Sequence, residues 1–384
     1  MRMKWLAVVG FLAAVVSGQA VAQTPAFDTK AKQIYLVDAE TGTVLFSRDE
    51  DAPVPPASLA KLMAMEVVFE ALDKGELTPE TSFEVSEHAW RTGGAPSGTS
   101  TMFAAVKSRI RVADLIQGAT VQLANDACIV LAEGMAGSEA AFAELMTKRA
   151  RDLGLPVATF KNATGLPHPE NKVTMRELVA LTRHLYEAHP DYYRLYSQPE
   201  FEWNKILQRN KNPLIAANVG VDGLATGFAE GFGFSLAVSM QRGDRRVYLA
   251  MGGLESEKER IEESRRVLDW AMTAFEKRRI FADGETIGEA SVYGGADSRV
   301  ALVAGSPVDV LLPVKNPERL TARIVYKWPL NAPVAAGQQV GVVKLWNGDK
   351  LLREVPVKTA RAVEPGTLTS RAIDALQELL FFWL

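Results

Sequence analysis

Hydrophobic and polar positions along the chain change period several times, and the changes predict an order of elements. Gln33–Asp38 alternates as a strand does, Glu40-Thr41-Gly42 supplies turn residues, and residues 43–47 return, which predicts a β-hairpin. Pro55-Pro56 can precede a helix but not continue one. From Ser58, the residues Leu62, Met65, Val68, Phe69 and Leu72 fall at helical spacing up to Gly75. Further helices are expected over 113–122, 127–134, 138–153 and Met175–Ala188. Strand patterns follow at 221–226, 232–240 and 245–251, the last two joined by Gly243-Asp244, and a charge-rich helix over 256–275 closes the unit. Hairpin, helices, strands and helix in that order predict an α+β domain, an antiparallel sheet covered by helices.

Beyond about Arg279 the period becomes two. Val308, Val310, Leu312 and Val314 alternate with their neighbours, as do Leu320, Ala322, Ile324, Tyr326 and Trp328. Asn347-Gly348 sits between strand-like runs, a strong short hairpin signature. Residues 284–362 are therefore expected to form a small all-β domain. In 368–384, Ile373, Leu376, Leu380 and Trp383 share one helical face, and the end is apolar all round. That fits an amphipathic helix lying in a membrane interface, or alternatively one docked on the β-domain.

Residues 1–22 read as an address rather than as structure. Arg2 and Lys4 precede an apolar run too short to span a bilayer, and Ala20-Val21-Ala22 has the small-x-small pattern of a cleavage site. The expected organisation is a signal peptide (1–22), the α+β domain (23–279), the all-β domain (284–362) and the amphipathic tail (368–384).

Composition narrows the chemistry. The 384 residues carry a net charge of −3, so nothing marks a nucleic-acid partner. One cysteine, Cys128, excludes an intramolecular disulfide and a multi-thiolate metal site; after Ala127 in an apolar stretch it reads as core. The histidines His88, His168, His184 and His189 show no metal-ligand spacing, so neither a metal nor a cofactor is expected.

Ser58-Leu59-Ala60-Lys61 is the chain's one Ser-x-x-Lys. One helical turn apart, a serine can pass its proton to a neutral lysine and become a nucleophile without histidine. The same four residues also fit an N-cap serine beside a solvated lysine. Position decides between them. Gln122-Leu123-Ala124-Asn125-Asp126 lies between two helices, and Val221-Asp222-Gly223-Leu224-Ala225-Thr226-Gly227 lies on a strand entering the sheet. Those are the places, in that order, of the Ser-x-x-Lys, Ser-x-Asn and Lys-Thr-Gly motifs of penicillin-recognising serine acyltransferases.

The sequence resembles the low-molecular-mass D-alanyl-D-alanine carboxypeptidases of the penicillin-binding protein 5 type, over essentially its whole length. Pro55-Pro56-Ala57-Ser58, Asn125-Asp126-Ala127-Cys128, Lys161-Asn162-Ala163-Thr164-Gly165-Leu166, Phe201-Glu202-Trp203-Asn204, Gln208-Arg209-Asn210 and Val221-Asp222-Gly223 carry the resemblance. It implies a penicillin-binding transpeptidase-like domain with the β-domain and tail behind it. It also implies a periplasmic protein attached to the inner-membrane surface, with peptidoglycan pentapeptides and β-lactams as ligands. Ser58, Lys61 and Asn125 are the implied catalytic residues. Leu123, Ala225, Thr226 and Gly227 are the implied substrate-binding positions, and backbone N–H groups at Ser58 and near Phe228 the implied oxyanion donors. Two positions depart from the pattern: Leu123 stands at the second-motif serine and Ala225 at the third-motif lysine. Phe228 also stands where relatives carry a polar residue. Without a cation at 225, Lys61 is expected to stay largely protonated, with Arg245 or Arg246 as a partial substitute. The resemblance thus supports a weakened serine carboxypeptidase or, alternatively, a degenerate homologue that binds peptidoglycan without turnover; β-lactamase activity ranks below both.

Overall fold

The computed structural model describes residues 27–314 and 320–367. The expected signal peptide and amphipathic tail lie outside them. The first unit is built on a five-stranded antiparallel sheet in the order Val44–Arg48, Gln33–Asp38, Arg245–Leu254, Gly233–Arg242, Val221–Ala229. Strands β1 (Gln33–Asp38) and β2 (Val44–Arg48) make the predicted hairpin, with the Asp38 carboxylate accepting from the Thr41 N–H and hydroxyl across the turn. A 3₁₀ turn over Ala57–Leu59 leads into α1 (Ala60–Asp73), so Ser58 precedes the helix proper instead of opening it. Then come β3 (Ser82–Glu84), α2 (Glu87–Thr92), β4 (Arg109–Arg111), α3 (Val112–Val121), α4 (Asn125–Ala136) and α5 (Glu139–Asp152).

Helix α6 (Met175–Ala188) has the bounds the periodicity predicts, because a capping box fixes its start. Thr174 accepts from the Glu177 N–H and Glu177 reaches back to the Thr174 N–H. It is followed by α7 (Pro190–Tyr193), β5 (Glu200–Trp203), β6 (Ile206–Arg209) and α8 (Pro213–Ala216). The unit closes with β7 (Val221–Ala229), β8 (Gly233–Arg242), β9 (Arg245–Leu254) and α9 (Glu257–Thr273).

Period two in β9 explains how helices cover both faces of the sheet. Val247, Leu249 and Met251 pack with Val267 and Leu268 of α9, while Tyr248 and Ala250 join the larger core that includes α1, α4 and α6. Part of the charged run over α9 is not solvated as its composition suggests: Arg260 and Glu263 are buried against the sheet.

The second unit begins at β10 (Phe275–Phe281), earlier than the expected start at 284 and overlapping the expected closing helix at Phe275 alone. It continues through β11 (Thr286–Tyr293), β12 (Arg299–Ala304), β13 (Val308–Pro313), β14 (Leu320–Tyr326), β15 (Leu330–Asn331), β16 (Gln339–Asn347) and β17 (Lys350–Thr359). Its core is separate, centred on Val300, Leu302, Val310, Val343, Leu345 and Val357. In the β16–β17 hairpin Asn347 pairs with Lys350, so the two turn residues are Gly348 (φ +59°) and Asp349, one step beyond the Asn-Gly pair. The units touch where the Leu311 N–H donates to Thr43 Oγ1 (3.1 Å) and Lys350 Nζ to the Leu45 carbonyl (2.6 Å).

Candidate active site

The turn that carries Ser58 is clamped from two sides by glycines. A Cβ on Gly227 of β7 would lie 3.2 Å from the Ala57 Cβ and 2.8 Å from Ser235 Oγ. A Cβ on Gly165 would fall 1.7 Å from the Ala57 carbonyl oxygen. Ala57 itself is held at φ +48°, a left-handed conformation that costs an L-residue roughly 1–2 kcal/mol. Strand and loop thus approach closely enough to fix the residue before Ser58 in a conformation the isolated turn would avoid.

Lys61 is buried in the first turn of α1. Its Nζ lies 3.1 Å from Ser58 Oγ and donates to the Thr164 carbonyl at 2.8 Å. That carbonyl belongs to a loop organised by Asn162, whose Oδ1 accepts from the Gly165 N–H and the Thr164 hydroxyl. Burial pulls the ammonium down from the ordinary lysine value of 10.5 to about 8, while Cys128 and Glu139 oppose the shift. At neutral pH roughly one molecule in ten then carries the free amine. Most molecules thus still carry the ammonium at neutral pH, as expected without a cation at 225, but desolvation alone brings the base within reach of neutrality. Burial also removes the solvated-lysine alternative. Cys128 is buried, with its thiol pushed up to about 12 by desolvation, which agrees with a core role.

Ser58 opens onto a cleft of about 460 Å³. Leu123, Thr226, Gly227 and Phe228 line it, as do Thr99, Ser100, Thr101 and Phe103 from the loop before β4, and Gln122, Lys211, Glu257 and Arg260. The structure therefore gathers Ser58, Lys61, Leu123, Thr226 and Gly227 in one place. Asn125 stands just behind the wall, its side-chain amide donating to Thr99 Oγ1 (2.9 Å) and its N–H to the Ser100 carbonyl (2.7 Å). Ala225 is fully buried and packs in the main core. Leu123 is held at φ +52° and is almost wholly buried, presenting a hydrocarbon wall at the second-motif position.

Several cleft residues escape a reading of motifs. The loop wall is tied down by buried Asp126, whose carboxylate accepts from Thr101 Oγ1 (2.6 Å) and from the N–H groups of Met102 and Ala104 (both 3.0 Å). Lys211 follows Gln208-Arg209-Asn210, and its carbonyl faces the Thr226 hydroxyl at 3.4 Å. Arg260 pairs with Glu257 at 2.9 Å. Neither Arg245 nor Arg246 lines the cleft, which overturns their expected part as substitutes. Arg245 donates to the Ala271 and Met272 carbonyls, whereas Arg246 is spent on Asp222, Ser239 and Gln241 and lies over the Tyr186 ring.

The chain matches the D-alanyl-D-alanine carboxypeptidase family over residues 18–254 and the C-terminal domain of penicillin-binding protein 5 over 275–365. It belongs to the D-alanyl-D-alanine carboxypeptidase family. Among the relatives of this carboxypeptidase-family chain, D-alanyl-D-alanine carboxypeptidase DacD of Salmonella typhimurium is 34% identical, over 92% of this chain and 91% of that protein. DacC of Escherichia coli is 32% identical over 97% and 94%. The solved structure of penicillin binding protein 5 from Haemophilus influenzae superposes with a TM-score of 0.73 at 30% identity, covering 88% of this chain and 99% of that one. The family consists of serine-type hydrolases, and a structural relative from Listeria monocytogenes is known in an ampicillin-bound form (TM-score 0.56, 25% identity, covering 65% of this chain and all of that one).

Proposed function

We propose that this chain is a working serine carboxypeptidase that releases the terminal D-alanine from peptidoglycan stem peptides through an acyl-enzyme at Ser58. The observation that carries the reading is the Ser58 Oγ–Lys61 Nζ pair, 3.1 Å apart, with the lysine buried and brought down to about 8. The free amine of Lys61 takes the Ser58 proton as Oγ attacks the peptide carbonyl. The same proton then passes to the departing D-alanine nitrogen, so charge balances within the pair. Water returns the acyl group to solution, with Lys61 again holding the proton. The N–H groups of Ser58 and Phe228 are the proposed oxyanion donors, usually the largest single catalytic contribution. Thr226 on the cleft wall holds the peptide's carboxylate, and Asn125 from behind the wall keeps Thr99 and Ser100 in place.

A second reading, a homologue that binds without turnover, is favoured by one observation: Leu123 puts hydrocarbon where a second hydroxyl would relay protons. General acid–base groups contribute about 10²–10⁴-fold, so this loss alone weakens turnover without removing the nucleophile. A fluorescent penicillin, with Ser58→Ala as control, separates the two. Labelling that depends on Ser58 together with D-alanine release from a pentapeptide supports the enzyme. Labelling without release supports the binding protein, and no labelling ends the first reading. Export to the periplasm through 1–22 and attachment to the inner-membrane surface through 368–384 belong to the same proposal. No helix among the described residues is long and apolar enough to cross a membrane. Deleting 368–384 is expected to move the protein from the membrane fraction to the soluble one.

A further inference from the structure

Away from the cleft, Glu66, His184 and His189 form a cluster that the proposed chemistry does not use. Glu66 lies on α1, beyond Lys61, and is completely buried. His184 is near the end of α6, and His189 caps it. One ligand atom from each residue lies within 4.8 Å of the other two.

Three features point beyond an ordinary ion-pair network. The first is the disposition of donors. His189 Nδ1 lies 2.5 Å from the Asp73 carboxylate, so a neutral ring that donates to Asp73 turns its Nε2 lone pair to Glu66. Glu66 Oε2 and His189 Nε2 then stand 3.1 Å apart, misaligned for a hydrogen bond, and neither has a hydrogen-bond partner among the described residues. With the ring neutral, two buried lone-pair bearers meet there, a contact relieved either by a second ring proton or by a metal ion. The second is spacing. An imidazole nitrogen and a carboxylate oxygen bound to one tetrahedral zinc at about 2.0–2.1 Å sit roughly 3.3 Å from each other. The observed separations are close to that, one to each carboxylate oxygen: 3.1 Å from His189 Nε2 to Glu66 Oε2, and 3.0 Å from His184 Nε2 to Glu66 Oε1, the oxygen that also accepts from Arg149. The third is support. A carboxylate behind a ligating imidazole is the usual arrangement around protein-bound metals, and Asp73 occupies that place.

Charge does not oppose a cation. Arg149 donates through Nε and Nη2 to Glu66 Oε1 and reaches Glu70 through Nη1 (2.9 Å), and Lys74 pairs with Glu70 (2.9 Å). Three carboxylates face two basic groups, which leaves one negative charge when the imidazoles are neutral. Arg149 occupies the side of the carboxylate away from Oε2. The His184 side chain is 30% exposed, which gives a route in and room for a water ligand.

We infer that Glu66, His184 and His189 bind a divalent transition cation of the zinc class, with Asp73 orienting His189. Two nitrogens and one oxygen suit zinc, cobalt or nickel better than calcium or magnesium, which take oxygen ligands. The cation joins α1, the helix that carries Lys61, to the end of α6. It is a structural site, independent of the reaction at Ser58.

The test uses untagged, full-length protein stripped with a chelator and titrated with zinc chloride by calorimetry, with bound zinc counted by elemental analysis. One equivalent per chain and a raised Tm are expected. Asp73→Asn, which leaves all three ligands in place, should weaken binding by roughly 10–100-fold. His184→Ala, at a partly exposed position, should weaken it at least as much and keeps the test open if His189→Ala fails to fold. Calcium chloride should give no saturable heat at this site. Absence of stoichiometric zinc binding overturns the inference, as does binding unchanged in both Asp73→Asn and His184→Ala. So does a nitrogen NMR spectrum of the zinc-treated protein showing His189 doubly protonated, bridging Glu66 and Asp73 by itself.

Discussion

Replacing Lys61 with methionine is expected to abolish labelling at Ser58 and, at neutral pH, to stabilise the fold. The magnitude follows from burial. An ammonium that titrates near 8 in the folded chain and at the ordinary 10.5 when unfolded costs the native state about 3 kcal/mol at pH 7. The sign is that of a lowered base. The cost is complete below about 8, shrinks as pH rises toward 10.5, and vanishes above that, where both states are neutral. Methionine has similar length and no charge, so it removes this cost. It also strands the Thr164 carbonyl, which accepts from Lys61 at 2.8 Å, a loss of about 1–3 kcal/mol that hardly varies with pH. The net gain at pH 7 is therefore about 0–2 kcal/mol. The decisive quantity is the stability of the variant relative to the parent, which should fall by about 2–3 kcal/mol between pH 7 and pH 10. Urea unfolding of both proteins at several pH values measures it, and the comparison cancels every other titrating group that the substitution leaves alone. A difference constant with pH would refute the claim that burial lowers the basicity of Lys61.

Other expectations follow from the same geometry. The rate of Ser58-dependent penicillin labelling should rise about tenfold from pH 7 to 9 and level off beyond; a rate still climbing steeply at pH 10 contradicts a base near 8. Leu123→Ser should raise D-alanine release by at least tenfold, measured on a pentapeptide, and an unchanged rate would show that this position does not limit turnover. Gly165→Ala forces a methyl against the Ala57 carbonyl and strains a residue at φ +78°, so it should lower labelling sharply and destabilise the fold by about 2–4 kcal/mol in thermal unfolding. Asp126→Asn should loosen the wall that Thr101, Met102 and Ala104 hang from, weakening labelling more than the native fold, with hydrogen exchange over 99–104 as the readout.

Elements with strong local rules were legible in the sequence. Helix α6 was readable because Thr174 and Glu177 announce its start, and the central strands because their apolar runs are bounded by turn residues such as Gly243-Asp244. The short pairs β3–β4 and β5–β6 have three or four residues each, too few for a period to show. Strand β10 is missed because Phe275–Phe281 follows α9 without a turn residue and is largely exposed, so no alternation of apolar and polar positions marks it between the expected helix end at Phe275 and the expected β-domain start at 284. At the site, Ser58, Lys61, Leu123, Thr226 and Gly227 were identifiable from motif positions. The burial that tunes Lys61, the Thr164 carbonyl that holds it, and the contributions of Lys211 and Arg260 come from segments distant in sequence. No spacing rule reaches them. The same holds for Glu66, which meets two histidines only because α6 packs along α1.

Asp126 ties the residue next to Asn125 to the far wall of the groove through Thr101, Met102 and Ala104. Wall and helix end are in effect one stiff jaw. A ligand too broad for the groove cannot push Phe103 aside alone; it must drag the start of α4, and Asn125 with it, out of register with Ser58. Size selection is thereby converted into misalignment of the reacting groups, so an oversized β-lactam is predicted to bind before it fails to react.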